Sequence, residues 1–252
     1  MREKSLDLPQ GQIFYLTGGQ GPPLLFLHGA IATPKAYQSL LDLLTRSFKV
    51  ISPLHPGHGK SFSLPNSWQL TDFSNFYEDY LAKLKFKPEI IIGHSFGGTL
   101  ALLLGSRGIG AKLVVMDAPA LPFALTPGEY FKAMLEETRL LLKQKPDQEK
   151  LAKTARAAGT LVETVVKHPG DIPLLFREGP KLNISQELRK IKIPVAIFWG
   201  GKDKLVPLTV GQQMAALIPK STLTIFSERG HNYPVMDPEF TSQALRKSLW
   251  SW

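Results

Sequence analysis

The sequence predicts an α/β fold in which a mostly parallel central sheet is flanked by helices. Short apolar runs rich in Val, Ile and Leu recur along the chain, and segments with helical spacing of apolar residues lie between them. Most of the runs are apolar throughout, which is typical of strands that are covered on both faces. Regular alternation of strand and helix indicates a parallel sheet, and 252 residues are enough to bury a large core.

The predicted strands are brief runs that end near Gly, Pro or polar residues. In chain order they are Gln12–Leu16, Pro23–His28, Lys49–Leu54, Glu89–Gly93, Lys112–Asp117, Ile193–Gly200 and Thr222–Ser227. We expect the first of them to add an antiparallel strand. Apolar residues spaced by three and four predict helices at Pro34–Arg46, Thr71–Leu84, Phe96–Ser106, Pro207–Ile218 and Pro238–Leu249.

Residues 119–190 interrupt this alternation. They contain no convincing strand pattern, and Glu129–Lys143 and Gln148–His168 have helical spacing. An insertion of about 70 residues with helices of its own is too long for an ordinary loop. We therefore predict a core at residues 1–118 and 191–252, and a mobile helical cap, or lid, at residues 119–190, inserted after the sixth strand.

The composition excludes several classes of protein. The chain has no Cys, which excludes disulfides, Cys-liganded zinc and a cysteine nucleophile. The segment Met1–Asp7 lacks an apolar stretch behind its basic residues, and no apolar run could span a bilayer, so we expect a cytoplasmic protein without membrane contact. The net charge of +9 is interleaved with acidic residues, so we expect a small-molecule substrate rather than a nucleic acid, and a monomer or small homo-oligomer.

The pentapeptide Gly93-His94-Ser95-Phe96-Gly97 lies between a predicted strand and a predicted helix. This setting is that of a nucleophile elbow, in which a serine stands in a strained conformation at the tip of the sheet. Glycines two residues before and after the serine let the chain approach itself closely. The alternative is a Gly-rich turn with an idle serine. The strand–turn–helix context favours the elbow.

A serine nucleophile needs a base, and the base needs an orienting acid. His231 follows the last predicted strand and Asp203 follows the preceding one, and catalytic groups of parallel sheets collect at the carboxyl ends of strands. Asp117 ends an earlier strand and is a second candidate for the acid. His55 and His58 lie close together, but no carboxylate pair stands at ligand spacing, so we expect no metal and no cofactor.

On these residues the chain resembles the α/β-hydrolase family, specifically its capped serine hydrolases. The order serine, aspartate, histidine along the chain is the order of that family. The resemblance implies that Ser95 is the nucleophile, that His231 is the general base and then the acid, and that Asp203 orients the imidazole.

The resemblance extends to two loops. The segment His28-Gly29-Ala30-Ile31 stands where the family's His-Gly loop supplies half of an oxyanion hole, which implies that the backbone N–H groups of Ala30 and Phe96 hold the oxyanion. The segment His55–Ser61 resembles the family's Pro-Gly-x-Gly-x-Ser turn. The family usually has an acid three residues before the first glycine of that turn, where this chain has Leu54.

The expected reaction is hydrolysis of a carboxylic ester or lactone through an acyl-enzyme on Ser95. Two alternatives are a carbon–carbon bond hydrolase of the same fold and a hydrolase-like ligand receptor without turnover. The candidate pocket residues are largely apolar, which favours a small uncharged acyl group. They are His28, Ile31, Phe123, Tyr130, Phe131 and Met134.

Overall fold

The computed structural model describes residues 1–30, 32–65, 68–126, 128–130, 132–133, 135–137, 159, 162, 166 and 179–250. Its strands are β1 (Arg2–Leu8), β2 (Gly11–Gly18), β3 (Pro23–Leu27), β4 (Lys49–Pro53), β5 (Ile90–His94), β6 (Lys112–Met116), β7 (Val195–Gly200) and β8 (Ser221–Phe226). Its helices are α1 (Gln38–Leu44), α2 (Leu70–Leu84), α3 (Phe96–Ser106), α4 (Ser185–Lys190), α5 (Leu208–Leu217), α6 (Tyr233–Met236) and α7 (Pro238–Trp250). Short 3-10 helices span Pro34–Tyr37 and Gly179–Lys181.

The eight strands form one sheet in the order β1-β2-β4-β3-β5-β6-β7-β8. The strand β2 pairs antiparallel with β1 and β4, and every pair from β4 to β8 is parallel. The predicted fold class, a mostly parallel sheet flanked by helices, is confirmed.

Apolar side chains cover both faces of the sheet. Ile91 and Val115 belong to the cluster on one face, and Ile92 and Val114 belong to the cluster on the other. Successive side chains of a strand point to opposite faces, so a strand with two covered faces is apolar without interruption. The same burial encloses α3, where all residues from Phe96 to Gly105 are buried.

The strand β1 was not predicted from the sequence. Its residues are mostly exposed, and four of the seven are charged, in the segment Arg-Glu-Lys-Ser-Leu-Asp-Leu. It pairs with β2 along its whole length from Arg2 to Leu8, through the backbone. Charged side chains suit an edge strand because they oppose pairing with another chain, but they hide the strand from a search for apolar alternation.

The two ends of the predicted cap meet beside the sheet. The amide of Phe123 donates to the carbonyl of Pro180 at 3.0 Å, and the amide of Ile184 donates to the carbonyl of Ala120 at 3.0 Å. The described residues between 128 and 137 are helical. Most of the predicted cap lies outside the described residues, so its boundaries and its mobility stay predictions. Among the helices described, none has the length and apolar character needed to span a bilayer.

Candidate active site

Ser95 occupies a strained turn between β5 and α3. Its backbone has φ 53° and ψ −125°, and its amide donates to the carbonyl of Met116 at 2.8 Å. The neighbouring glycines are required by space: a Cβ on Gly93 would lie 2.2 Å from the Gly97 carbonyl oxygen, and one on Gly97 would lie 2.2 Å from that of Leu27. A non-glycine residue with positive φ persists only where the surrounding structure holds it, and such residues cluster at functional sites.

His231 and Asp203 form a buried pair at the ends of β8 and β7. The ring Nδ1 of His231 lies 2.7 Å from Oδ2 of Asp203. The other oxygen, Oδ1, accepts the amides of Leu205 at 2.7 Å and Val206 at 2.9 Å. These bonds fix the carboxylate, and they leave Nε2 as the ring nitrogen that can serve as a base.

A hydrogen bond from the elbow holds the loop that carries His231. His94 precedes Ser95, and its ring Nε2 lies 2.9 Å from the backbone carbonyl oxygen of His231. The two imidazole rings are 4.9 Å apart between centroids. Because of this bond, the loop after β8 lies beside the turn that contains Ser95.

The charges around His231 raise its pKa. Burial alone lowers it, but the charge of Asp203, the hydrogen bond to Asp203 and the charge of Glu137 together outweigh that effect. Of the two candidate acids, Asp203 is the one that hydrogen-bonds His231, whereas Asp117 accepts the amide of Gly200 at 2.8 Å.

The predicted oxyanion loop lies against the elbow. A Cβ on Gly29 would lie 3.3 Å from the Cβ of Ser95, and the Gly29 amide donates to the hydroxyl of Tyr37 at 3.3 Å. Phe96 is the first residue of α3, so its amide has no acceptor within the helix. The amides proposed for the oxyanion hole, those of Ala30 and Phe96, therefore belong to two segments that adjoin Ser95, the loop after β3 and the start of α3.

Three buried imidazoles hydrogen-bond the backbone of this loop. His28 accepts the amide of His55 on Nε2 at 3.0 Å, which leaves Nδ1 to donate to the Gly29 carbonyl at 2.8 Å. His55 donates from Nε2 to the His28 carbonyl at 2.8 Å, so its Nδ1 accepts the hydroxyl of Tyr77. The ring of His58 bonds the carbonyl of Ala30. Burial lowers the pKa of His28 and of His55, which keeps both neutral.

His28 is fully buried and both of its ring nitrogens are hydrogen-bonded, so it braces the predicted oxyanion loop, and its place in the substrate pocket stays a prediction.

One group of side chains could be considered for a metal. Asp117, Asp203 and His231 offer ligand atoms that all lie within 4.8 Å of one another. Ligands of a tetrahedral zinc ion each stand about 2 Å from the metal and therefore roughly 3.3 Å from one another. The distance of 2.7 Å between His231 and Asp203 is that of a hydrogen bond, so the pair suits a shared proton better than an ion.

The model of the alpha/beta hydrolase family matches residues 24–244 of this chain. The chain belongs to the alpha/beta hydrolase family. It is 27% identical to the AB hydrolase superfamily protein YisY of Bacillus subtilis, over 84% of this chain and 86% of that protein. It is 24% identical to the non-heme chloroperoxidase CPO-A1 of Kitasatospora aureofaciens, over 87% of this chain and 88% of that protein.

Solved structures place the chain in the same fold. An esterase from Exiguobacterium antarcticum superposes with a TM-score of 0.77 at 20% identity, over 97% of this chain and 98% of that one. A meta-cleavage product hydrolase superposes with a TM-score of 0.79 at 19% identity, over 99% and 98%. At this level of identity the likeness establishes the fold alone.

Of the residues predicted for the hydrolase's substrate pocket, two are described in the insertion. Phe123 is half-buried and its ring centroid lies 6.3 Å from that of Tyr130. Burial raises the pKa of Tyr130, and the charge of Asp203 adds to this, so Tyr130 lies within electrostatic reach of the site. Ile31, Phe131 and Met134 lie outside the described residues.

Two further residues of the site were not found from the sequence. The hydroxyl of Tyr37 is 2.6 Å from Nδ1 of His94, which links the oxyanion loop to the elbow. Glu137 is buried, and its carboxylate accepts the side-chain amide of Asn232 at 3.2 Å. Neither residue belongs to a motif, and two adjacent glutamates, Glu136 and Glu137, are typical of a solvent-exposed surface.

Proposed function

We propose that this alpha/beta hydrolase is a serine hydrolase that cleaves carboxylic esters or lactones with small, largely apolar acyl groups. Ser95 is the nucleophile, His231 the general base and Asp203 the acid that orients it. The observation that carries the proposal is the strained Ser95 beside the hydrogen-bonded Asp203–His231 pair, with His94 bonding the loop of His231 to the elbow.

The reaction has two halves. The Oγ of Ser95 attacks the carbonyl carbon while Nε2 of His231 takes its proton, and the amides of Ala30 and Phe96 stabilise the oxyanion. The alcohol leaves with the proton from His231, and the acyl group stays on Ser95. Water then gives a proton to His231 and attacks the acyl carbon, after which the acid departs and Ser95 regains its proton. With a lactone, the leaving alcohol remains part of the same molecule.

The proposed acyl preference rests on the described end of the insertion. Phe123 and Tyr130 pack together there, and Tyr130 lies within electrostatic reach of Asp203. Aromatic surface favours the burial of apolar groups.

Hydrolysis of a carbon–carbon bond is the second candidate. It is favoured by the structural likeness to a meta-cleavage product hydrolase. Two substrates separate the candidates: p-nitrophenyl butyrate reports ester hydrolysis, and a vinylogous diketone acid reports carbon–carbon cleavage. Turnover of the diketone acid without turnover of esters and lactones overturns the ester proposal, and turnover of none of them indicates a receptor.

The nucleophile is tested with a fluorophosphonate probe and with the variant Ser95→Ala. We expect wild type to be labelled and the variant to be unlabelled, with kcat lower by about a thousandfold or more. Ser106→Ala, at the other end of the same helix, is the matched control, because its hydroxyl bonds the carbonyl of Leu103. The assignment of Ser95 is wrong if its variant keeps a tenth of wild-type turnover.

A further inference from the structure

Asp117 is a buried carboxyl group for which the proposed reaction has no use. It follows β6 with a left-handed backbone, φ 49°, and its side chain is fully buried. Its amide donates to the carbonyl of Phe198 at 3.1 Å, and its Oδ1 accepts the amide of Gly200 at 2.8 Å. The backbone amide and the side chain of Asp117 are therefore both hydrogen-bonded to β7, the strand that precedes Asp203.

The two aspartates differ in how many donors they face. Asp203 accepts three hydrogen bonds, from the amides of Leu205 and Val206 and from the ring of His231. Asp117 accepts one, and its Oδ2 is buried without a hydrogen-bond partner in the described part of the chain. An oxygen that is buried and unpartnered is costly as part of an anion, but the cost is removed when it carries a proton that it can donate.

The two carboxyl groups are also too close to be charged together. One oxygen of each carboxyl group and one ring nitrogen of His231 lie within 4.8 Å of one another. When two buried carboxyls share a site, one of them keeps its proton. The proton belongs on the group with fewer donors, and that group is Asp117.

We propose that Asp117 is protonated in the folded protein and donates from Oδ2 to the carboxylate of Asp203, acting as a positioning residue that holds Asp203 against His231. The positioning role of Asp117 rests on the function proposed above, whereas its protonation does not. The proton transferred in the reaction stays on His231, and Asp117 keeps its own proton throughout.

The other groups around Asp117 agree with this assignment. Burial raises its pKa, and the charges of Asp203 and Glu137 raise it further. Burial raises the pKa of Tyr37 and of Tyr233, the charge of Asp117 adds to this at both, and hydrogen bonding with the Asp117 side chain adds to it at Tyr233, although no partner in the residues described has full hydrogen-bond geometry with the Tyr233 hydroxyl. Within the described residues, no cation is among the groups whose charges shift the pKa of Asp117 or of Tyr233.

The first test is a pair of substitutions at Asp117. In Asp117→Asn the amide group supplies the N–H that replaces the O–H, the carbonyl still accepts the Gly200 amide, and Asn tolerates positive φ. We expect kcat within about threefold of wild type. Asp117→Gly also tolerates the backbone but removes the donor, and we expect kcat to fall about tenfold to a hundredfold, as for a lost hydrogen bond to a charged group.

The second test needs no activity. The unfolded chain releases the proton of Asp117 near the ordinary pKa of Asp, about 3.9, whereas the folded protein keeps it. Folding then takes up a proton between the two pKa values, so wild type loses stability relative to Asp117→Asn as pH rises. We expect the melting temperature of wild type to fall relative to that of Asp117→Asn as the pH rises from about 5 to about 8.

Several results would overturn the proposal. They are a melting-temperature difference that does not change with pH, an Asp117→Gly protein as active as wild type, or an Asp117→Asn protein as inactive as Asp203→Asn. The last result would make Asp117 the ionised orienting acid. If Ser95→Ala reacts with the fluorophosphonate as wild type does, the proposed function fails, while the pH series still decides where the proton lies.

Discussion

The ring Nε2 of His94 donates a hydrogen bond to the backbone carbonyl of His231 at 2.9 Å, across 137 positions of sequence. A carbonyl can only accept, so the proton is on Nε2, and Nδ1 accepts the hydroxyl of Tyr37 at 2.6 Å. Burial lowers the pKa of His94, and the nearby charge of His231 lowers it further, which keeps the ring neutral and this pattern fixed. The residue before the proposed nucleophile therefore positions the loop of the proposed base.

Substitution of His94 tests this link. His94→Ala leaves the His231 carbonyl without this donor and the Tyr37 hydroxyl without the acceptor of its proton, so we expect kcat to fall about tenfold to a hundredfold, with a loss of about 1–3 kcal/mol in the free energy of unfolding. The comparison is Tyr37→Phe, which keeps the bond between His94 and His231, although it also removes the hydroxyl that accepts the Gly29 amide, and it should lower kcat less. Equal kcat values for His94→Ala and wild type would refute a positioning role.

The pH dependence of activity tests the role of Glu137. Because the pKa of His231 is raised above its ordinary value of 6.5, we expect the acid limb of kcat/KM, where His231 loses its proton, to lie above that pH. Glu137→Gln removes one of the charges that raise this pKa, so the limb should move to lower pH. Glu136→Gln is the control, since its partly exposed carboxylate bonds Lys204. An unmoved limb in Glu137→Gln would show that Glu137 carries no charge that His231 senses.

A chelator tests the proton-sharing interpretation of the acidic group. The distance of 2.7 Å between Asp203 and His231 is shorter than the roughly 3.3 Å between two ligands of a tetrahedral zinc ion, so we expect overnight dialysis against EDTA to leave ester hydrolysis unchanged. Loss of activity that zinc restores would instead make Asp117, Asp203 and His231 a metal site.

The fold was predictable because buried strands and helices have a recognisable apolar pattern in the sequence. Of the strands in the described residues, only β1 was not predicted, and the bounds of every other strand lie within two residues of the predicted ones. Strands covered on both faces are unbroken apolar runs, and α3 is apolar on all sides because it is enclosed. The strand β1 has no such apolar pattern, because it is held in the sheet by backbone pairing with β2 and its side chains are mostly charged.

The residues of the candidate site could be found from the sequence where each follows a strand. Ser95, Asp203 and His231 stand at the carboxyl ends of β5, β7 and β8, which a parallel sheet brings to one edge. The choice between Asp117 and Asp203 could not be made from position, because both follow strands at that edge. It depends on a hydrogen bond, and the contribution of Glu137 depends on how the insertion packs against the loop of His231.

The glycines of the elbow give a prediction about folding rather than chemistry. A Cβ on Gly97 would lie 2.2 Å from the carbonyl oxygen of Leu27 and 2.4 Å from that of His28, and both are backbone atoms of the segment that leads into the oxyanion loop. Side-chain rotation cannot relieve such an overlap, so either β3 or the elbow must shift. We expect Gly97→Ala to lower the free energy of unfolding by about 3 kcal/mol or more, at the upper end for overpacking.

Gly128→Ala is the matched control for this substitution, since a Cβ there meets no atom within 4 Å in the described residues and Gly128 is helical. It should leave stability unchanged or raise it slightly, because Ala is the better helix former. Urea unfolding of both variants measures the difference. Because the displaced backbone belongs to the oxyanion loop, any folded fraction of Gly97→Ala should also react more slowly with the fluorophosphonate. A Gly97→Ala protein with wild-type stability and labelling rate would mean that the close approach of the elbow to β3 is not needed.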